Sequence, residues 1–156
     1  MWWFWTVYGS ALVALVVWGL WLRKRWQEMP ELASTVYDER IKSGEISKKI
    51  SRERFSEAFI KTDGPRRETY RWGAAISSLL LLPILVRIFN VIWNFMWAVA
   101  GKPGVFEEGY MIHTFSTYLF AMGVVITILF FTMRRFYRDA PPSLKTQLRK
   151  LTEESA

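Results

Sequence analysis

The sequence predicts an all-α membrane protein with three transmembrane helices. Half of its 156 residues are apolar, with nine Trp and eleven Phe, and these gather into three blocks. Each block reaches the roughly 20 residues a helix needs to cross hydrocarbon. The charge is also uneven. Segment 23–72 holds thirteen Lys/Arg against nine Asp/Glu and the tail from Arg134 holds six against three, while the loop 101–109 has Lys102 against Glu107 and Glu108. By the positive-inside rule the N-terminus and that loop lie outside and the C-terminus is cytoplasmic. The expected order is transmembrane helices at 1–22, 73–100 and 110–133. They are joined by a cytoplasmic helical connection, 23–72, and an external loop, 101–109, and followed by a cytoplasmic tail, 134–156.

The first span opens with Trp2, Trp3, Trp5 and Tyr8 and closes with Trp18, Trp21 and Trp26 around Arg23, Lys24 and Arg25. Aromatic belts and a basic stop are what an interfacially anchored helix requires. Ser10 and Ala14 have small-xxx-small spacing, although a lipid-facing anchor is the simpler reading. The block lacks the basic n-region of a secretory signal and the Arg- and Ser-rich character of a transit peptide, so it reads as a permanent anchor. The expected location is a bacterial inner membrane, crossed several times.

In the connection, Pro30 is expected to break the chain after the first span. Thr35 with Asp38 resembles a capping box, Tyr37 and Ile41 share a face, and Gly44 is a stop. A second short helix is expected from about Ser51 to Lys61, with Phe55, Ala58 and Phe59 as its apolar stripe. Asp63-Gly64-Pro65 ends it by turn chemistry. In the tail, the Pro141-Pro142 break and a Ser143 cap precede a helix with Leu144, Leu148 and Leu151 on one face. Helices this short are marginal alone, so they are expected on the membrane surface or against another subunit.

The apolar run 74–100 carries Arg87 at its midpoint, with thirteen uncharged residues on either side. A charge at that depth costs at least about 3 kcal/mol and marks a partner or a function. Pro83, Arg87, Asn90 and Asn94 fall on one narrow stripe of the helix, and Pro83 frees a carbonyl one turn earlier. Three fates for the guanidinium follow. It can snorkel, but the interface is on the order of 15 Å away, more than twice its reach. It can bond to Asn90, Asn94 and freed carbonyls, which supply no countercharge. It can meet an external anion, either a carboxylate of another chain or a haem propionate, and this reading is favoured. Glu107 and Glu108 are about half a membrane away along the helix axis.

In the third span, Ala121 and Gly123 thin the helix where another helix, such as the second span, could approach. His113 is the single histidine. It could ligate a metal or a haem, but one imidazole without Cys or acidic neighbours is a poor site. An interfacial His bonded to backbone, water or a neighbour is the expectation. The absence of cysteine excludes disulfides and thiolate chemistry, no acid lies in any span for a Ser/His/Asp arrangement, and no phosphate-binding glycine loop occurs. Basic residues mixed with acids argue against nucleic acid.

These observations predict a non-catalytic accessory or assembly subunit of a larger bacterial inner-membrane complex, first sought among respiratory or photosynthetic electron-transfer complexes. Arg87, Asn90 and Asn94 would contact a partner subunit or anion, with His113 as a candidate interface or ligand residue. The expected partners are other membrane protein subunits and anionic phospholipid. No cofactor is expected on this chain alone, with a partner's haem or phospholipid as the groups it would touch. The alternative is a homo-oligomeric channel or transporter subunit in which Arg87 lines an anion path.

Overall fold

A computed structural model describes residues 2–46 and 50–154. Five helices account for most of them: α1 (Trp2–Lys42), α2 (Arg52–Asp63), α3 (Arg66–Val99), α4 (Met111–Arg138) and α5 (Leu144–Glu154). A single 3₁₀ turn, Gly104–Phe106, lies between α3 and α4. Three helices, α1, α3 and α4, are long and apolar enough to cross a membrane, as those of a multi-pass membrane protein are.

The helix ends follow from local chemistry. α1 and α3 both close in Schellman motifs: Glu45 N–H bonds to Arg40 O and Gly44 N–H to Ile41 O, and likewise Lys102 to Trp97 and Gly101 to Ala98. Gly44 (φ 75°) and Gly101 (φ 81°) supply the left-handed residue each motif needs. Ser51 caps α2 by accepting from the Arg54 N–H, and Ser143 caps α5 through the Thr146 N–H. Two expectations fail. Pro30 lies inside α1 without ending it, because loss of one backbone bond there is offset by burial of Met29 and Ala33 on the same helix. Thr35 is mid-helix and caps nothing; its hydroxyl donates back to Glu31 O at 3.1 Å.

The chain divides into two compact units. The first, residues 1–15 and 70–135, holds the start of α1, most of α3 and nearly all of α4. α1 and α3 run antiparallel in a definite register. The Tyr8 hydroxyl donates to Leu79 O at 3.1 Å and the Trp72 indole N–H donates to Leu15 O at 2.8 Å. α4 returns along α3, with Phe89 stacked on Phe120 at 4.7 Å and Trp93 edge-on to His113 at 5.3 Å. Only Ala74 and His113 are buried along α3 and α4. The outward faces of these helices are largely apolar, the pattern expected of helices that face hydrocarbon. Nothing approaches within 4 Å of a side chain placed at Gly123, while Ala121 is half-buried. Ser10 and Ala14 are exposed.

The Tyr8 bond answers the gap left by Pro83. Residue 83 has no N–H to give Leu79 O, and in hydrocarbon an unpaired carbonyl is costly; the phenol of α1 supplies the missing donor. We therefore expect Tyr8→Phe to destabilise the spans by about 1 kcal/mol, and to do so far less in a Pro83→Ala background, where the helix supplies its own donor. A double-mutant cycle in detergent unfolding measures that coupling.

The second unit, residues 16–69 and 136–156, has an ordinary core. Met29, Ala33, Ile46, Ile50, Phe55, Ala58, Phe59 and Leu144 are buried together, with Leu148 and Leu151 packed against them. Phe55 stacks on Phe59 at 6.0 Å and lies 5.4 Å from the Tyr37 ring. The Tyr37 hydroxyl donates to Ile50 O at 2.8 Å, and Arg52 pairs with Asp38. Gln147 of α5 reaches Thr62 of α2 at 3.0 Å. Gly64 is needed for proximity, since a Cβ there would sit 2.9 Å from the Trp26 ring carbons. The short helices find a partner within the chain: α2 and α5 pack their apolar faces against each other and against the second half of α1.

Candidate functional site: the polar stripe of α3

The four residues of the stripe lie within a narrow sector of α3, but the boundary between packed and open surface runs through it. Leu82, Leu85, Val86, Phe89, Asn90, Trp93, Asn94 and Trp97 are half-buried, while Leu80, Leu81, Pro83, Ile84, Arg87, Ile88 and Val91 are exposed. A step of three residues rotates the helix by about 300°, which puts Arg87 some 60° from Asn90 and on the other side of that boundary.

Asn90 and Asn94 face inward and are satisfied within the chain. Asn90 Oδ1 lies 3.2 Å from His113 Nε2, and His113 Nδ1 accepts from the Gly109 N–H at 3.3 Å. Since Nδ1 is the acceptor, the neutral ring carries its proton on Nε2 and donates to Asn90. His113 is 6 % exposed and has both ring nitrogens engaged, so its geometry is that of a structural link and not of an open ligand. Asn94 Nδ2 donates to Glu108 Oε2 at 3.2 Å. Two indoles complete the arrangement: Trp93 donates to Phe106 O at 2.9 Å and Trp97 to Pro103 O at 3.0 Å.

Together these six side chains fasten the 101–109 loop to the end of the α3–α4 pair. The sequence does not single out Trp93, Trp97 and Glu108 as members of this group. Their signal there is faint, because interfacial tryptophans and a loop acid are ordinary features of any span end. We expect His113→Leu to orphan the Gly109 N–H and the Asn90 amide together and to cost about 1–3 kcal/mol. The loss should be read as faster amide exchange across 101–113, with α2 and α5 unchanged.

Arg87 is treated differently by the fold. It is exposed, and among the described residues it makes no hydrogen bond or ion pair. Of its neighbours one turn away, Pro83, Ile84 and Val91 are exposed and Asn90 is half-buried. No acid occurs in residues 2–22, 74–100 or 110–133, so no carboxylate of this chain lies at its depth. Among the described residues no group of three or more His, Cys, Asp or Glu is placed to hold a metal ion.

The site is therefore a lone guanidinium in the middle of an apolar helix face, beside a polar network that is already closed. No protein-family model, curated protein or solved structure matches this chain.

Proposed function

We propose that this protein is a non-catalytic accessory or assembly subunit of a larger complex in a bacterial inner membrane. One observation carries the reading: Arg87 stands exposed at the midpoint of an apolar run and, among the described residues, without a partner. The cost of holding a guanidinium there is relieved when a neighbour supplies a countercharge. In the proposed orientation the N-terminus and the 101–109 loop face outward. Arg23 to Arg25, Arg66, Arg67, Arg71 and Arg134, Arg135 and Arg138 then meet the cytoplasmic headgroups, where anionic phospholipid complements them. Respiratory or photosynthetic electron-transfer complexes are the first place to seek the partner.

α2 and α5 add little to this reading, because their apolar faces pack largely within the second unit. A homo-oligomeric anion path loses most of its own: Asn90 and Asn94, which would line it beside Arg87, are turned to His113 and Glu108. Purification from the native membrane in mild detergent, with mass spectrometry of what co-migrates, tests the proposal. A defined set of membrane proteins in fixed ratio is expected. A stable monomer, with nothing bound, would sink it.

A further inference from the structure

Resting on that accessory-subunit reading, we infer that Arg87 is met by one transmembrane helix of a different protein, seated along α3 with an Asp or Glu at mid-bilayer depth.

The shape of the open face points to a single helix. Leu80, Ile84, Arg87 and Val91 follow one another at spacings of four, three and four residues, the seam on which two helices pack at about 20° in membranes. The three apolar members are 48 %, 57 % and 58 % exposed, so the seam is open along its whole length. Arg87 sits inside it, with an apolar residue of the seam on either side.

The charge decides the chemistry of the occupant. A second copy of this chain brings another Arg87 and no acid in any span, so it adds repulsion where a countercharge is needed. A phospholipid phosphate lies too far away: thirteen residues separate Arg87 from each end of the run, about 20 Å of helix. A helix carrying a mid-span carboxylate would itself be poorly tolerated alone in hydrocarbon. Pairing the two removes both penalties at once, and a bidentate guanidinium–carboxylate contact fixes the register of the two helices. The acid therefore serves as both countercharge and address, while the apolar seam supplies packing.

The test uses the full chain in phosphatidylcholine vesicles at pH 8. The probes are synthetic Leu/Ala transmembrane peptides with Glu, Gln or Lys at the central position and a dansyl acceptor for the chain's tryptophans. Energy transfer is expected to report at least tenfold tighter association of the Glu peptide than of the Gln or Lys peptide. That preference should persist in Arg87→Lys and vanish in Arg87→Gln, with helical content unchanged in both by circular dichroism. Equal binding of all three peptides overturns the inference, as does a Glu preference that survives Arg87→Gln. Neither failure touches the subunit reading, which stands or falls on whether the native protein co-purifies with others.

Discussion

Replacing Arg87 by Leu is expected to move two measurements in opposite directions. For the isolated chain the change is favourable. On insertion scales Arg at the helix centre costs about 3 kcal/mol and Leu gains about 0.5 kcal/mol, so the α3 span should insert more than a hundredfold more readily. Fraction inserted, or resistance of the purified protein to sodium dodecyl sulfate, reads that gain. Within the native membrane the same substitution should remove the co-purifying proteins, because the partner's buried carboxylate loses its countercharge and breaking such a pair costs about 3–5 kcal/mol. A residue kept for the stability of its own chain would show a loss in both assays. Unchanged partners in Arg87→Leu would mean that the assembly contact lies elsewhere. Arg87→Lys separates charge from geometry: it should insert no more easily than the native chain and keep only part of the partner affinity, since an ammonium cannot reproduce the two parallel bonds of a guanidinium.

How far the sequence alone reaches is clearest along α3. Hydropathy and length are enough to find the three long apolar helices, because burying backbone in hydrocarbon leaves few alternatives to a helix. Ser143 and Gly44 mark helix ends with local chemistry that the fold uses as written. The stripe is a different matter. A helical wheel places Pro83, Arg87, Asn90 and Asn94 together, yet Asn94, only about 20° from Arg87, is covered because it lies level with Glu108 of the loop, while Arg87, some 60° from Asn90, faces outward. That boundary is set by where α4 lies, and nothing in α3 itself encodes it. Pairings such as Tyr8 with Leu79, or His113 with Asn90, have the same character: each residue advertises an unmet need, while the depth of its partner on another helix is fixed only by register. Pro30 misleads for the related reason that the burial of Met29 and Ala33 is a tertiary fact. The amphipathic patterns of α2 and α5 say that something covers them without saying what.

Truncating Phe55 to Ala should be the most damaging single change to the second unit. Its side chain has no solvent exposure and touches both Phe59 and Tyr37. Removing it takes away a large buried ring and leaves a cavity, at a cost of about 3–5 kcal/mol. The core around it is small, and a unit of this size has little stability to spare. We therefore expect loss of cooperative folding in residues 52–63 and 144–154, seen as amide exchange near that of an unfolded chain, while the apolar stretches of α3 and α4 keep their protection. A second consequence separates this core from the membrane-surface role that the sequence of α5 also suits. Leu144, Leu148 and Leu151 lie against the Phe55 cluster in the native protein, but the variant releases them beside Lys145, Arg149 and Lys150. An amphipathic helix of that composition binds anionic bilayers. In nanodiscs containing phosphatidylglycerol, a probe on α5 should move into the headgroup region in Phe55→Ala and stay out of it in the native chain. Insertion of α5 in both would show that the core and the membrane compete for the same leucines on nearly equal terms.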